Sequence, residues 1–262
     1  MSLLTTLFNA TIPRTGYRIV RDVAYGAEAR QRMDIYVPKG LSGPAPVVLF
    51  FYGGSWKTGT KAIYRFLGQA LASKGIVTAV ADYRLYPQVK YPAFVHDSAE
   101  AFRYLRAHAA AYGGDRDRIF LAGHSAGAYN VALLAADRRY LSDNERAAIR
   151  GVIGIAGPYD FLPLQDPDLI DMFGGDSVAE TQPIRHVDRK LPPMLLAHGS
   201  GDTTVHPRNV RRMTKKLEEF GTEVVKREYD GIGHIEIIVS LAPWFRGRTT
   251  LREDIVQFVW SH

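Results

Sequence analysis

The sequence predicts an α/β fold, in which a mostly parallel central sheet is covered by helices on both faces. Short apolar runs of strand length alternate with longer stretches of helical periodicity along most of the 262 residues. The central apolar runs are continuous, which is typical of strands that are buried on both faces of a parallel sheet. Because no repeat or low-complexity linker interrupts this alternation, we expect a single domain over residues 1–262.

Strands are predicted where β-branched and apolar residues cluster between turn residues. The predicted strands are residues 17–25, 32–37, 46–51, 76–81, 118–123, 152–156, 193–197 and 224–229. Helices are predicted where apolar side chains recur every three or four residues. The predicted helices are residues 63–74, 93–111, 126–136, 208–220 and 251–260. Gly75 and Gly221 directly follow two of these helices and are suited to end them.

The composition is that of a globular protein and excludes several kinds of site. Hydrophobic residues make up 46% and charged residues 23% of the chain, as in ordinary globular proteins. The absence of cysteine excludes disulfides and zinc sites with Cys ligands. The net charge is +6, but the basic residues are scattered and no nucleic-acid-binding motif accompanies them, so we expect no nucleic-acid partner.

The sequence also bears on location and assembly. No apolar run is long enough to span a bilayer, and the first residues make a poor signal peptide. We therefore expect a cytoplasmic protein without a membrane partner. The pattern does not decide between a monomer and a homodimer.

The clearest chemical motif is residues 123–127, which read Gly-His-Ser-Ala-Gly. This G-x-S-x-G pattern lies between a predicted strand and a predicted helix, the context in which it exposes a nucleophilic serine on a sharp turn. The flanking glycines are needed because side chains there would collide with the neighbouring strand and helix. Ser125 is the predicted nucleophile, and the backbone N–H of Ala126 is a predicted donor to the reacting carbonyl oxygen.

A serine hydroxyl is a weak nucleophile and needs a base. Among eight histidines, His234 ends a glycine-rich loop, residues 230–234, directly after the last predicted strand. Asp202 lies at the tip of the turn after the preceding strand and is the predicted acid. Asp230 is the alternative carboxylate, although it precedes the histidine too closely to be a comfortable partner. The resulting order Ser, Asp, His is the order of α/β-hydrolase triads.

A second oxyanion donor is expected after the strand at residues 46–51. The segment 51–56 reads Phe-Tyr-Gly-Gly-Ser-Trp, a glycine turn at the end of a central strand. With these elements the chain resembles the esterase branch of the α/β-hydrolase superfamily, near the hormone-sensitive-lipase-like and kynurenine-formamidase-like esterases. The resemblance runs from residue 32 to the end and includes Asp-Tyr-Arg-Leu at 82–85 and Gly-Gly-Asp at 113–115.

The resemblance implies an α/β-hydrolase fold and assigns the oxyanion hole to the N–H groups of Gly54, Ser55 and Ala126. One residue departs from the family pattern. The family loop usually reads H-G-G-x-W, and here Tyr52 replaces the histidine that braces the turn. Because the donors are backbone groups, this change need not remove them, and we expect the tyrosine hydroxyl to brace the loop instead.

These residues favour a carboxylesterase that acts on small to medium esters through an acyl-enzyme, with no metal and no organic cofactor. An amidase for arylformamides would use the same machinery and stays open. A peptidase is less favoured because no large gating domain is evident. A non-catalytic protein of the same fold that binds a small ligand is the third alternative.

Residues 158–192, the cap segment, differ from the rest of the chain. They contain five prolines, scattered aromatic residues and no clear period, which indicates a small functional insertion. Its start should lie over the carboxyl ends of the strands, where open α/β sheets bind ligands. The predicted walls of the substrate pocket are Trp56, Tyr159, Phe161, Phe173 and Ile235.

Overall fold

The computed structural model describes residues 9–262, and its centre is an eight-stranded sheet with the order β1-β2-β4-β3-β5-β6-β7-β8. The strands are β1 (Tyr17–Ala24), β2 (Arg32–Pro38), β3 (Ala45–Phe51), β4 (Val77–Ala81), β5 (Gly114–His124), β6 (Ile149–Ile155), β7 (Met194–Gly199) and β8 (Val224–Tyr229). β2 pairs antiparallel with both β1 and β4, and all other neighbours are parallel. The predicted mostly parallel sheet is confirmed.

The continuous apolar runs form the centre of this sheet, because every residue of β3 and β4 is buried. The edge strands β1 and β8 carry polar residues and are only partly buried. β5 begins four residues earlier than its apolar pattern predicts. Its first residues are mostly polar and partly exposed, but Gly114 pairs with Ala45 and so extends the ladder past the apolar run.

Helices pack against the sheet in two groups. The helices are α1 (Arg65–Ala72), α2 (Ala93–His108), α3 (Ala126–Ala136), α4 (Asp143–Ala147), α5 (Pro167–Phe173), α6 (Arg208–Glu219), α7 (His234–Val239) and α8 (Leu251–Ser261). α1 packs on α8, whereas α2 packs on α3. Right-handed crossovers place α1 on one face of the sheet and α2 and α3 on the other. The sequence did not predict α4, α5 and α7, because helices of five to seven residues are too short for periodicity to show.

The strand order reverses between β3 and β5, which places their following loops side by side. The chain leaves β3 toward β4 and leaves β5 toward β6, so the two strands flank a topological switch point. Phe51 and Gly123 are partners in the parallel ladder. The loop at residues 52–60 therefore starts next to Ser125, at the carboxyl edge of the sheet.

The cap segment follows β6 and contains α5 and two short 3₁₀ turns, Ala179–Thr181 and Pro183–His186. α5 begins at Pro167 because the side chain of Asp166 accepts the N–H of Asp168 and caps the helix. The helix ends at Gly174, which adopts the left-handed conformation. The rest of the segment has no regular structure, in agreement with its lack of periodicity. No helix within residues 9–262 has the length and apolar character needed to span a membrane.

Candidate active site

Ser125 lies on a sharp turn between β5 and α3. Its backbone adopts φ 53° and ψ −120°, a strained conformation for a residue other than glycine. A Cβ atom on Gly123 would lie 2.2 Å from the carbonyl carbon of Gly127, and one on Gly127 would lie 2.0 Å from the carbonyl oxygen of Phe51. Both glycines are therefore required for strand and helix to approach this closely, as the motif predicts.

His234 lies between Ser125 and Asp202. Its Nε2 is 3.0 Å from the Ser125 Oγ, and its Nδ1 is 2.7 Å from an Asp202 carboxylate oxygen. With Nδ1–H donating to the carboxylate, Nε2 is free to accept the serine proton. Asp230 makes a different contact, because its carboxylate accepts the hydroxyl of Ser200 at 3.0 Å. The three predicted residues thus come together, and the alternative carboxylate does not join them.

The carboxylate of Asp202 is held from several directions. One oxygen accepts the backbone N–H groups of Thr204 and Val205, both at 2.9 Å. The other faces His234 and also lies 3.2 Å from Nε2 of His198. Burial raises the pKa of the Asp202 carboxyl, but hydrogen bonds from His198 and His234 outweigh it and leave the pKa below its ordinary value. Asp202 is therefore kept as the anion.

His198 is a residue that the sequence reasoning did not single out. It is completely buried near the end of β7, and its Nε2 also donates to the carbonyl of Val205 at 2.8 Å. It therefore touches both the acid and the turn that carries the acid. Its sequence position could have identified it, because it is a polar residue near the end of an apolar strand and lies four residues before Asp202.

A second histidine supports the site from the other side. His124 is buried beside Ser125, and its Nε2 lies 3.0 Å from the carbonyl oxygen of His234. Burial, with a smaller contribution from the nearby charge of His234, lowers the pKa of His124 to about 3. The neutral ring can donate to this carbonyl and so links the nucleophile turn to the loop of the base.

The 52–60 loop has an unusual backbone. Gly54, Ser55 and Trp56 all have positive φ angles, of 119°, 51° and 57°. The N–H groups of Lys57 and Thr58 close the turn on the Gly54 carbonyl at 2.9 and 3.0 Å. Within residues 9–262, the N–H groups of Gly54 and Ser55 donate to no protein acceptor. Successive free N–H groups of this kind form a concavity that suits an anionic oxygen.

Tyr52 anchors the start of this loop. Its hydroxyl donates to Asp82 at 2.6 Å and accepts from the guanidinium of Arg30 at 2.7 Å. The same Arg30 nitrogen binds the carbonyl of Gly59 at 2.9 Å, so one side chain holds both ends of the loop. Burial, followed by the nearby Asp82 charge, raises the pKa of Tyr52 and keeps its hydroxyl as a donor. Its ring stacks between the ring of Tyr64, which is partly buried, and that of Tyr83, which is buried.

A cavity of about 580 Å³ opens at Ser125. Its floor includes Ser55, Ser125 and Ala126. One wall comes from residues 158–169 of the cap segment, and another comes from residues 204–209, which follow Asp202. Of the predicted pocket walls, Trp56 and Phe161 line this cavity. The wall at residues 204–209 was not anticipated, because most of its members are polar residues in the turn after Asp202 and in the first turn of α6.

The other three predicted wall residues lie elsewhere, which corrects the predicted lining. Tyr159 is buried against β6, where a Cβ atom on Gly154 would lie 2.0 Å from its hydroxyl. Phe173 is buried behind the lining, with its ring centroid 5.1 Å from that of Trp56. Ile235 is 62% exposed on α7 and does not line the cavity. Aromatic and aliphatic content alone did not separate residues that line a pocket from residues that support it.

The described residues, 9–262, contain no group of three His, Asp or Glu side chains arranged to hold a metal ion. The polar groups at Ser125 are instead a hydroxyl, an imidazole, a carboxylate and free backbone N–H groups. This set can transfer a proton and bind a developing oxyanion.

The chain is similar to known esterases. A family model described as BD-FAE matches residues 33–217. Isoprenylcysteine alpha-carbonyl methylesterase from Arabidopsis thaliana is 30% identical over 266 residues, which cover 92% of this chain and 62% of that protein. Esterase LipC from Mycobacterium tuberculosis is 32% identical over 238 residues, 82% of this chain and 59% of that protein. The chain therefore spans less than two thirds of the length of these curated relatives.

The solved structure of a thermophilic esterase from Thermogutta terrifontis is also similar. It is 25% identical, with a TM-score of 0.69 and coverage of 85% of each chain. The α/β-hydrolase fold and the resemblance to esterases, both predicted from the sequence motifs, are confirmed.

Proposed function

Because the chain belongs to the BD-FAE family, we propose that it is a serine carboxylesterase that hydrolyses small to medium carboxylic esters through an acyl-enzyme. The observation that carries the proposal is the position of His234, within hydrogen-bond distance of both the Ser125 hydroxyl and the Asp202 carboxylate. The esterase relatives support the same class of reaction.

In the proposed reaction, His234 accepts the proton of Ser125 as the serine oxygen attacks the ester carbonyl. Asp202 keeps the imidazole in the required tautomer and stabilises its cationic form. The N–H groups of Gly54, Ser55 and Ala126 bind the negative oxygen of the tetrahedral intermediate. His234 then returns the proton to the departing alcohol, and a water molecule activated by the same imidazole releases the acid.

The cap segment has a separate role in this proposal. It forms a small lid on a single domain and contributes Phe161 to the cavity wall, so it selects the ester, whereas the residues at the sheet edge perform the reaction. A cytoplasmic location and the absence of a nucleic-acid partner stay predictions from the sequence.

Hydrolysis of p-nitrophenyl acetate and butyrate tests the proposed function, and Ser125→Ala should lower kcat by a factor on the order of 10⁶. The matched control is Ser73→Ala, at an exposed serine on the C-terminal end of α1. A reactive organophosphate should add one phosphoryl group to the wild type and none to Ser125→Ala, as measured by intact mass. An arylformamide belongs in the same panel. Wild-type turnover that persists in Ser125→Ala would refute the assignment, and no turnover of any ester would favour a binding protein.

A further inference from the structure

The two walls of the cavity at Ser125 differ in chemistry. The cap segment contributes mainly apolar side chains, among them Phe161, Leu162 and Leu164. The wall from residues 204–209 contributes mainly polar side chains, including Thr204 and Arg208. A ligand that fits both walls has an apolar part and a polar part.

Arg208 differs from its neighbours on α6. Arg211 binds Glu228 at 2.8 Å, and Arg212 binds Asp160 at 2.7 Å. Arg208 is exposed and lines the cavity, and its guanidinium makes no hydrogen bond or ion pair with any residue between 9 and 262. The helix thus has paired arginines on its outer surface and an unpaired arginine at the cavity.

Several carboxylates on the elements around the cavity are already paired. Asp160 is bound by Arg212, and Asp166 and Asp168 of the cap segment share Lys57 at 3.4 and 2.9 Å. Asp202 faces its two histidines. None of the residues that line the cavity is acidic, and Arg208 forms no ion pair with any residue between 9 and 262, so its positive charge is available to an anionic ligand.

We propose that the cavity takes esters whose non-reacting end carries a carboxylate, and that Arg208 binds this carboxylate while the cap segment covers the apolar part. This proposal rests on the proposed esterase function and names its substrate class. A guanidinium can bind a carboxylate through two parallel hydrogen bonds, which gives orientation as well as attraction. Gln165, an exposed residue of the cap wall, adds an amide donor to the same cavity.

The test compares charged and neutral esters of similar length. Monoethyl adipate paired with ethyl hexanoate places the charge on the acyl side, and 4-acetoxybutyrate paired with butyl acetate places it on the alcohol side. Proton release reports kcat/KM for all four. In at least one pair, Arg208→Gln should lower the charged-to-neutral ratio of kcat/KM about three- to tenfold, and Arg208→Glu should lower it further.

Arg211→Gln is the matched control, because it removes the same charge from the same helix outside the cavity and should leave the ratio unchanged. Added salt should lower the ratio for the wild type and have little effect on Arg208→Gln. A ratio that is unchanged by Arg208→Gln in both pairs, or changed equally by Arg211→Gln, overturns the proposal while leaving the esterase assignment intact.

If the protein hydrolyses none of these esters, a binding measurement still tests the anion site independently of the esterase proposal. In the Ser125→Ala background, ligand-observed NMR measures the affinity for monoethyl adipate with and without Arg208→Gln. A three- to tenfold loss of affinity supports the anion site even if the protein is not an esterase. Equal affinities refute the anion site.

Discussion

The carboxyl edge of the sheet and the cap segment contribute to the same cavity, but they are built differently. At the sheet edge, Ser125 and the 52–60 loop directly follow strands whose last residues are fully buried. The cap segment has one short helix, two 3₁₀ turns and many partly exposed side chains. The backbone register therefore determines where the reacting groups lie, whereas local side-chain packing determines which cap residues reach the cavity.

After the loss of the nucleophile in Ser125→Ala, the largest effect is expected from the acid at the sheet edge. Asp202→Asn should reduce kcat by a factor on the order of 10⁴, because the amide cannot stabilise the cationic imidazole and favours the wrong tautomer. Asp230→Asn is the matched control, since Asp230 binds Ser200 and not His234. Initial rates with p-nitrophenyl butyrate measure both variants. A comparable loss in Asp230→Asn would mean that the acid is misassigned.

The sheet edge could be predicted from the sequence because its residues have local signals. Strand, glycine turn and helix follow one another around Ser125, and the loops of Asp202 and His234 each follow a recognisable strand. The contacts of Tyr52 could not be predicted. Its hydroxyl meets Arg30 and Asp82, which lie 22 and 30 residues away in the sequence, and only the fold brings them together.

The cap segment could be predicted only in part. Its position over the strand ends followed from the chain order, but the identity of the cap residues that line the cavity did not. Tyr159, Phe161 and Phe173 have similar aromatic side chains, yet only Phe161 reaches the cavity. A segment without periodicity gives no rule for which side chain turns inward.

A smaller effect is expected at the 52–60 loop. Tyr52→Phe removes the hydroxyl that binds Asp82 and Arg30 but keeps the stacked ring. The loop N–H groups should then be less well positioned, and kcat should fall roughly 10- to 100-fold with little change in KM. Tyr17→Phe is the matched control, because it also loses a hydroxyl hydrogen bond, to the carbonyl of Pro13. Equal kcat values for wild type and Tyr52→Phe would show that the hydroxyl does not position the loop.

The pH dependence of the unfolding free energy tests whether burial keeps the imidazole of His124 neutral. The pKa of His124 is about 3 in the folded protein, against 6.5 for an ordinary histidine, so the unfolded chain binds an additional proton between these values. Its contribution to stability is therefore complete above pH 6.5 and decreases as the pH falls toward 3. The expected loss is at most about 1.4 kcal/mol of unfolding free energy per pH unit.

Urea unfolding of the wild type and His124→Asn between pH 7 and 4 measures this contribution. The variant should be less stable at pH 7, where it lacks the bond to the His234 carbonyl, and its stability should fall less steeply with acidification. Parallel curves for the two proteins would mean that His124 is not kept neutral by burial.

The smallest effect on activity distinguishes a cap residue that lines the cavity from a cap residue that only supports the lining. Phe161 lines the cavity, and Phe173 lies behind it with its ring centroid 5.9 Å from that of Phe161. Phe161→Ala should enlarge the cavity and shift the preference from short toward longer acyl chains. A methylene group in such a pocket is worth about 1–3 kcal/mol, so the shift should be graded across acetate, butyrate, hexanoate and octanoate esters.

Phe173→Ala is the matched control, because it removes the same side chain from the layer behind the lining. It should lower the unfolding free energy by about 3–5 kcal/mol and leave the order of ester preference unchanged. The kcat/KM profile and the urea midpoint, measured for both variants, place each residue in one role. If the two variants change the chain-length profile equally, the cap segment acts as one packed unit, and specificity cannot be assigned to the residue that touches the cavity.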